Sequence, residues 1–292
     1  MYTFKDKYGE YLSLFESRLD RFYDELKCSP QILDDSIKYS LKSGGKRVRP
    51  VLMLACAELL GVKISDVEDF ALALELIHTY SLIHDDLPEM DNDDFRRGRP
   101  SNHKVFGVGN AVLAGDGLLN TAYYILFEKC SEGANFADAA KFMCGCAGVH
   151  GMIAGQSADL YCAEKAIKDR QMLDFIVENK TGRLISAAVA VPAIIAGGKN
   201  FIELNQFGED LGRLFQIVDD ILDEEGKFAK LGKTSGKDKS EGKLTYVTYY
   251  GLEQCRVCAD ILSDKCLALL DGLDGDVQFL RDVVSFVRYR EE

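Results

Sequence analysis

The chain has 292 residues, of which 47% are hydrophobic, and this is enough apolar material for a large buried core. Its net charge of −12 at pH 7 excludes bulk electrostatic attraction to nucleic acid or to an anionic membrane surface. An anionic ligand must therefore be bound by local basic clusters. Nine scattered cysteines and a charged N-terminal sequence without a secretory signal predict free thiols in the cytoplasm.

Apolar residues recur at steps of three and four along most of the chain, which is the spacing of amphipathic helices. The stripe of Leu12, Phe15, Leu19, Phe22 and Leu26 is the clearest N-terminal case. Further helices are predicted over 110–130, 138–162, 169–196, 201–223, 245–271 and 276–289. Since no convincing alternating strand is present, we predict an all-α fold with a single domain spanning residues 1–292.

Capping residues predict where two of the early helices begin. Ser29 followed by Pro30 has the pattern of an N-cap with proline at the first helical position. Ser65 with Glu68 matches a capping box that would open a long helix running towards Asp85.

Two other features could indicate a membrane protein or a zinc protein. The apolar run 184–198 is short for a bilayer span of ~20 residues, and it predicts a buried helix that kinks or ends near Pro192. Cys255, Cys258 and Cys266 fall on one helical stripe, which favours core packing over a zinc site because no second CxxC pair follows.

The segment His84–His103 contains six acidic residues, which are followed by three arginines. Asp85 and Asp86 end a predicted apolar helix, and Asp91 comes shortly afterwards. Pro88 would break the helix between them, so that the three carboxylates could share one side. Separation of acids from bases is typical of a site where metal ions bind an anion and basic residues complete the binding.

A second acidic cluster lies in the sequence FQIVDDILDEEG at 215–226. Asp219 and Asp223 are one helical turn apart on the same face, and Asp220 lies beside them. Like charges at this spacing destabilise a helix unless a cation neutralises them, and hard carboxylate ligands suit Mg²⁺. The segment 224–243, with four glycines and six lysines, is predicted to be a loop that follows this cluster.

Two acidic helix ends that face each other across an apolar cavity fit the ionisation of an allylic diphosphate. Mg²⁺ would stabilise the diphosphate as a leaving group, and arginine and lysine would complete the binding of its oxygens. The hydrocarbon tail must lie in a dry cavity, because water would capture the allylic cation.

An ordered set of motifs over nearly the whole chain resembles the trans-polyprenyl diphosphate synthase family, specifically its bacterial short-chain farnesyl diphosphate synthase type. The motifs are GGKRVRP at 44–50, IHTYSLIHDDLPEMDNDDFRRGRPSNH at 77–103, NAVLAGD at 110–116, MIAGQSADL at 152–160, KTG at 180–182, FQIVDDILD at 215–223 and LGKTSGKD at 231–238. The resemblance implies the isoprenoid synthase fold, a large antiparallel helical bundle around a central apolar cavity, and a homodimer.

The resemblance also implies an activity. Isopentenyl diphosphate would be condensed with dimethylallyl and geranyl diphosphates to give farnesyl diphosphate, with three Mg²⁺ ions as the cofactor when substrate is bound. No protein base is needed, because the diphosphate leaving group can remove the proton in this family. No nucleic acid partner and no membrane insertion are expected.

Roles for single residues follow from the same resemblance. The metal ligands, which also hold the allylic diphosphate, would be Asp85, Asp86, Asp91, Asp219, Asp220 and Asp223. The cations on the allylic diphosphate would be Arg96, Lys180 and Lys233, with Thr181 and Gln216 lining that site. The pocket for isopentenyl diphosphate would be formed by Lys46, Arg49, His78 and Arg97. Lys243 would correspond to a further lysine of the closing loop.

Product length should depend on the depth of the cavity below Asp85. Ideal helix geometry favours Ser81 as its floor, whereas the resemblance assigns that place to the aromatic residue five positions before the first aspartate, which is Tyr80. A floor ~7–8 Å along the helix would stop growth near about fifteen carbons. We therefore expect farnesyl diphosphate as the main product.

Alternatives remain open at this point. Geranylgeranyl diphosphate synthase is the alternative within the same class of enzyme. A non-catalytic subunit of a heteromeric synthase is a second alternative, although such subunits typically lack intact aspartate motifs. A di-iron bundle would need two ExxH elements, and only Glu75-x-x-His78 is present. A terpene cyclase would lack the second aspartate motif.

The C-terminus departs from the family pattern. Family members often end in basic residues that help to close the site, whereas this chain ends in FVRYREE. Arg288 and Arg290 are the basic residues that could take this role.

Overall fold

The computed structural model describes residues 3–226 and 243–290, which are mainly helical. The first helices are α1 Phe4–Glu25, α2 Gln31–Leu41, α3 Val48–Leu60, α4 Ile64–Asp85, α5 Asn102–Phe106, α6 Val108–Cys130 and α7 Ala134–Ala147. They are followed by α8 Met152–Lys165, α9 Arg170–Ile176, α10 Arg183–Ile195, α11 Phe201–Glu224, α12 Tyr246–Tyr250, α13 Leu252–Asp271 and α14 Gln278–Tyr289. A π-helical turn, Val177–Gly182, joins α9 to α10. The all-α prediction is confirmed.

Strand pairing within the described residues is limited to one short antiparallel hairpin, in which Phe95–Arg96 pairs with Arg99–Pro100. Arg97 and Gly98 form its two-residue turn and both have positive φ, at 54° and 72°, as type I′ hairpin turns require. This tight turn directs the side chains of Arg96 and Arg97 towards different parts of the protein.

The core is built around α4, which is buried on nearly all sides between Val67 and Ile83. It packs against α3 and α6, while α10 packs against α3, α7 and α11. The first acidic cluster ends α4 and the second lies at the C-terminal end of α11, so two central helices position both clusters.

Two of the predicted helical windows are each divided by glycine. Window 138–162 separates into α7 and α8, because the chain turns between Gly148 and Gly151. A Cβ on Gly151 would lie 2.0 Å from the carbonyl oxygen of Cys146, a close approach that only glycine permits. Window 245–271 divides at Gly251, where φ is +81°. Apolar spacing continues across both breaks, so periodicity alone does not reveal them.

The predicted helix starts at Ser29-Pro30 and at Ser65 are wrong in detail. Pro30 is the N-cap of α2, and the helix begins one residue later. Helix α4 starts at Ile64 without a side-chain cap, and the Ser65 hydroxyl bonds Asp66 instead. Packing of Ile64 against the core fixes this start, and it overrides the local capping pattern.

The apolar run 184–198 forms a buried helix, as predicted. Helix α10 has 13 residues and continues to Ile195, three residues beyond Pro192, so the proline does not end it. Gly197 and Gly198, both at positive φ, follow its end. No helix in the described part of the chain is long and apolar enough to cross a membrane.

The cysteine stripe packs as predicted. Cys255 and Cys266 are buried on α13, Cys258 is partly buried against the core, and none of the three forms a disulfide. Within residues 3–226 and 243–290, no group of three histidine, cysteine or acidic side chains is arranged around a common metal position.

Candidate active site

Asp85, Asp86 and Asp91 lie at the C-terminal end of α4 and in the loop that follows it. The backbone N–H of Asp91 donates to the carbonyl oxygen of Asp85 at 2.8 Å, so the loop that contains Pro88 folds back on the helix end. Burial raises the pKa of Asp85 above its ordinary value; Lys180 opposes this rise and the charge of Asp91 adds to it. Carboxylates placed together in this way require nearby positive charge.

Asp86 and Arg96 form a bidentate ion pair in this region. Arg96 Nε lies 2.8 Å and 2.9 Å from the two carboxylate oxygens of Asp86, and its Nη2 lies 2.6 Å from Oδ1. Asp86 is only 2% exposed. The structure thus brings both predicted residues to the site, with the guanidinium bound to the carboxylate.

Lys180 lies in the π-helical turn between α9 and α10. Its Nζ is 2.7 Å from Asp159 Oδ2. Burial alone would lower the pKa of Lys180, but Asp159, Asp85 and Asp91 raise it above its ordinary value, so this lysine is a cation. Such π-helical turns occur frequently at functional sites, because they redirect side chains within an otherwise regular helix.

Helix α8 contacts this turn directly. A Cβ on Gly155 would lie 2.2 Å from the backbone nitrogen of Lys180 and 2.7 Å from its Cα. Backbone therefore packs on backbone here, and Gly155 fixes the position from which Lys180 reaches the carboxylates.

The second acidic cluster is connected to the same turn. Thr181 Oγ1 donates to Gln216 Oε1 at 2.9 Å, and Gln216 Nε2 donates to Asp220 Oδ1 at 2.8 Å. The other oxygen of Asp220 accepts from the backbone N–H of Tyr246 at 2.8 Å. Since Thr181 directly follows Lys180, the π-helical turn lies between the two acidic helix ends.

Lys243 provides a further connection between the two ends. Its Nζ lies 3.1 Å from Asp91 Oδ1, and it precedes by three residues Tyr246, which donates to Asp220. The predicted site residue Lys233 lies outside the described residues.

The four residues predicted to bind isopentenyl diphosphate form a basic cluster: Lys46 and Arg49 at the start of α3, His78 on α4 and Arg97 in the hairpin turn. Arg97 donates to the Gly44 carbonyl and, at 3.3 Å, to Ser43 Oγ, which fixes the hairpin to the loop before α3. Burial lowers the pKa of His78 well below its ordinary value, and Arg49 and Arg97 lower it further, so the ring is neutral.

Arg49, in this basic cluster, has a side-chain hydrogen-bond donor without a partner among the described residues. This donor is its Nε, which is buried. Burial lowers the pKa of Arg49 and nearby Arg97 adds to the effect. The fourth residue, Lys46, precedes α3, and its backbone carbonyl accepts from the Tyr8 hydroxyl at 2.5 Å. The cations and the unsatisfied donor together favour binding of an anion.

One buried ion pair beside the basic cluster was not predicted from the sequence. Arg47 Nη1 lies 2.7 Å from Glu75 Oε1, with both side chains 3% exposed. Arg47 also donates to Glu16 at 3.0 Å and to the Leu41 carbonyl at 2.7 Å. A buried acidic residue in an apolar helix requires a cation beside it, so the position of Glu75 in the sequence could have indicated a buried ion pair.

Tyr80 and Ser81 differ in size and bonding. Tyr80 is 6% exposed, and its buried hydroxyl has no hydrogen-bond partner in the described part of the chain. The Ser81 hydroxyl donates to the His78 carbonyl at 2.8 Å, so it is satisfied within its own helix. Of the two residues predicted to form the floor of the cavity, Tyr80 has the larger side chain.

The donor set at the two helix ends fits a hard divalent cation such as Mg²⁺. All six side chains are aspartates, and carboxylate oxygens are the ligands that Mg²⁺ prefers. Within the described parts of the chain, basic side chains contact three of them: Arg96 on Asp86, Lys243 on Asp91 and Arg290 on Asp219. Mg²⁺ bound by these aspartates would compete with the basic side chains and would supply positive charge for an anionic ligand.

Comparisons with known proteins identify the family of this chain. The polyprenyl synthetase family model matches residues 30–268, so the chain belongs to the polyprenyl synthetase family. It is 44% identical over 236 residues to farnesyl diphosphate synthase of Geobacillus stearothermophilus, covering 79% of each chain. It is 40% identical over 267 residues to the chloroplastic geranylgeranyl pyrophosphate synthase of Capsicum annuum, covering 90% of this chain and 72% of the relative.

A solved structure shares the fold. The geranyltransferase of Helicobacter pylori, crystallised with magnesium and isoprenyl diphosphate, aligns with a TM-score of 0.79 and 32% identity, covering 95% of this chain and 96% of the other. The fold and the family therefore define a trans-prenyltransferase. Product length is not resolved, because the relatives include both farnesyl and geranylgeranyl diphosphate synthases.

Proposed function

We propose that the protein is a Mg²⁺-dependent farnesyl diphosphate synthase, which adds isopentenyl diphosphate first to dimethylallyl and then to geranyl diphosphate. Membership of the family supports prenyl transfer. The observation that carries the proposal is the position of Lys180 and Thr181 between the two acidic helix ends. Lys180 interacts electrostatically with Asp85 and Asp91, and Thr181 bonds Gln216, which bonds Asp220.

The six aspartates would hold the metal, with Asp85, Asp86 and Asp91 on one side and Asp219, Asp220 and Asp223 on the other. Bound Mg²⁺ supplies the charge that stabilises diphosphate as a leaving group. Lys180, Arg96 and Lys233 bind the same diphosphate oxygens, and Thr181 and Gln216 line the site. Arg96 is suited to this role because a guanidinium binds phosphate oxygens as well as it binds the carboxylate of Asp86.

The basic cluster positions the second substrate, isopentenyl diphosphate. Lys46, Arg49 and Arg97 bind the diphosphate of isopentenyl diphosphate, and the unsatisfied Nε of Arg49 provides one ready donor. The neutral ring of His78 donates a hydrogen bond there without adding another charge to the cationic cluster. Lys243 closes the allylic side through its contact with Asp91. The released diphosphate removes the proton, so no protein base takes part.

Tyr80 supports the C15 product, since a buried aromatic ring little more than one turn below Asp85 limits the space for a growing chain. The alternative, geranylgeranyl diphosphate synthase, has support from the Capsicum annuum relative.

The whole chain, residues 1–292, acts as one catalytic domain that pairs with a second copy. Exposed apolar side chains on α6 and α8 support this pairing: Leu113, Tyr124, Phe127, Ile153 and Tyr161. Light scattering on the purified protein tests it, with a dimer mass expected near twice the 32.5 kDa of the chain and a monomer mass contradicting it.

The function is tested by incubating the purified protein alone with isopentenyl diphosphate, dimethylallyl diphosphate and Mg²⁺, and by reading the product masses. A C15 diphosphate is expected. A C20 product supports the geranylgeranyl alternative. Absence of any product contradicts catalysis by this chain alone and fits a non-catalytic subunit of a heteromeric synthase. Loss of product on chelation of the metal is also expected.

A further inference from the structure

The motif NAVLAGD at 110–116 has no role in the proposed mechanism, yet it contacts the residue just before the first aspartates. His84 Nε2 donates to the carbonyl oxygen of Val112 at 3.0 Å. The same nitrogen lies 3.9 Å from Asp116 Oδ1. His84 thus links the last turn of α4 to α6.

Gly115 creates the space that this imidazole occupies. A Cβ at position 115 would lie 2.1 Å from His84 Nε2 and 2.4 Å from Cδ2. Both are far inside van der Waals contact, so no larger residue is compatible with this position of the ring. The surface of α6 therefore has a slot at Gly115, and the imidazole fills it.

The ring of His84 also contacts Tyr80, one turn earlier on α4. Their centroids are 5.6 Å apart with planes at 83°, which is an edge-to-face contact. The Tyr80 hydroxyl has no hydrogen bond in the described residues, so its ring is held by packing alone. The imidazole is the aromatic neighbour of Tyr80 on α4.

We propose that His84 is a positioning residue for product length: seated in the Gly115 slot, its imidazole holds the Tyr80 ring in place as the floor of the hydrocarbon pocket. This inference rests on the proposed function. It assigns the Val112–Asp116 stretch a part in setting chain length through a residue that does not touch the substrate.

Removal of the imidazole leaves a space beside Tyr80. An aromatic ring without a hydrogen bond can rotate into such a space, and the pocket then becomes deeper at the place where Tyr80 had closed it. His84→Ala should therefore lengthen the product in the same direction as Tyr80→Ala. Gly115→Ala should act likewise, because the new methyl group displaces the imidazole without removing it.

The test measures product masses from geranyl diphosphate, isopentenyl diphosphate and Mg²⁺. We expect His84→Ala and Gly115→Ala to raise the ratio of C20 and longer products to C15 by at least roughly threefold. In the Tyr80→Ala background, His84→Ala should add no further shift, because it acts through Tyr80. The matched control is His150→Ala, at an exposed histidine, with an unchanged product ratio.

The outcomes separate this inference from the function on which it rests. A wild-type C15 product with an unchanged ratio in folded His84→Ala overturns the role of His84 and leaves the proposed function intact. A further shift in the double variant beyond Tyr80→Ala alone also overturns it. If His84→Ala does not fold, Gly115→Ala decides in the same way. Absence of any prenyl product from the wild type overturns the proposed function and the inference with it.

Discussion

Arg290 Nη2 lies 2.7 Å from Asp219 Oδ1, and the guanidinium stacks 3.8 Å from the ring centre of Phe215. This pair brings the end of the chain to the second acidic cluster. The other C-terminal arginine, Arg288, instead pairs with Asp260 at 2.6 Å. Of the two basic residues that could close the site, Arg290 is the one that contacts a proposed metal ligand within the described residues.

Arg290→Ala should lower the Mg²⁺ concentration needed for half-maximal activity, since a cation that competes for Asp219 is removed. An exposed ion pair contributes up to ~1 kcal/mol, and the Arg290 side chain is only 6% exposed, so we expect a shift of at least about fivefold. Activity is measured across a Mg²⁺ titration with Arg288→Ala as the control. An unchanged or increased Mg²⁺ requirement would show that Arg290 does not compete with the metal.

Gly155→Ala should reduce kcat by about a hundredfold, because the added methyl group would collide with the backbone of Lys180 and move the π-helical turn. Gly145→Ala is the matched control: it also lies within a helix, and its Cβ would meet nothing within 4 Å. The control should keep full activity and gain up to ~1 kcal/mol of stability. Equal kcat values for the two variants would contradict the role assigned to Gly155.

Glu75→Gln should reduce the free energy of unfolding by up to about 3–5 kcal/mol, because it removes the buried carboxylate that pairs with Arg47 and leaves it the more exposed Glu16. Urea denaturation measures this change. Glu68→Gln is the control, since Glu68 pairs with the exposed Arg21 and should change stability by less than ~1 kcal/mol. Similar losses from both substitutions would mean that burial of the Arg47 pair is unimportant.

The pH dependence of stability should reveal His78. Its pKa in the folded protein is lowered well below the ordinary 6.5, so below that pH the unfolded chain binds a proton that the folded protein does not. The contribution of His78 to the free energy of unfolding is therefore fully present above pH 6.5. It falls as the pH drops towards the folded pKa, by at most about 1.4 kcal/mol per pH unit.

His78→Gln should reduce this slope between pH 6.5 and 5, measured by urea denaturation at each pH. The corresponding substitution at exposed His150 should leave the slope unchanged. A wild-type slope that persists in His78→Gln would place the titrating group elsewhere.

The acidic helix ends could be predicted from the sequence because local rules determine them. Helical spacing places Asp219 and Asp223 together, and Pro88 predicts the break that lets Asp91 fold back on Asp85. The class of fold follows from apolar periodicity in the same way. These features depend on neighbours in the chain, which the sequence shows directly.

Features that depend on distant contacts could not be predicted. The partner of Glu75 is Arg47, 28 positions away, and the spacing of residues does not indicate it. The breaks at Gly151 and Gly251 interrupt helices whose apolar pattern is continuous. The start of α4 is fixed by core packing of Ile64, which overrides the capping pattern at Ser65.

The central claim is that the two acidic helix ends act together on one allylic diphosphate. The most direct measurement is the rate of C15 formation from geranyl and isopentenyl diphosphates with Mg²⁺ in Asp85→Asn and in Asp219→Asn. Each substitution alone should lower kcat by at least about a thousandfold, since the diphosphate loses part of its metal binding. Wild-type kcat in Asp219→Asn would contradict the claim, because the second helix end would then be dispensable.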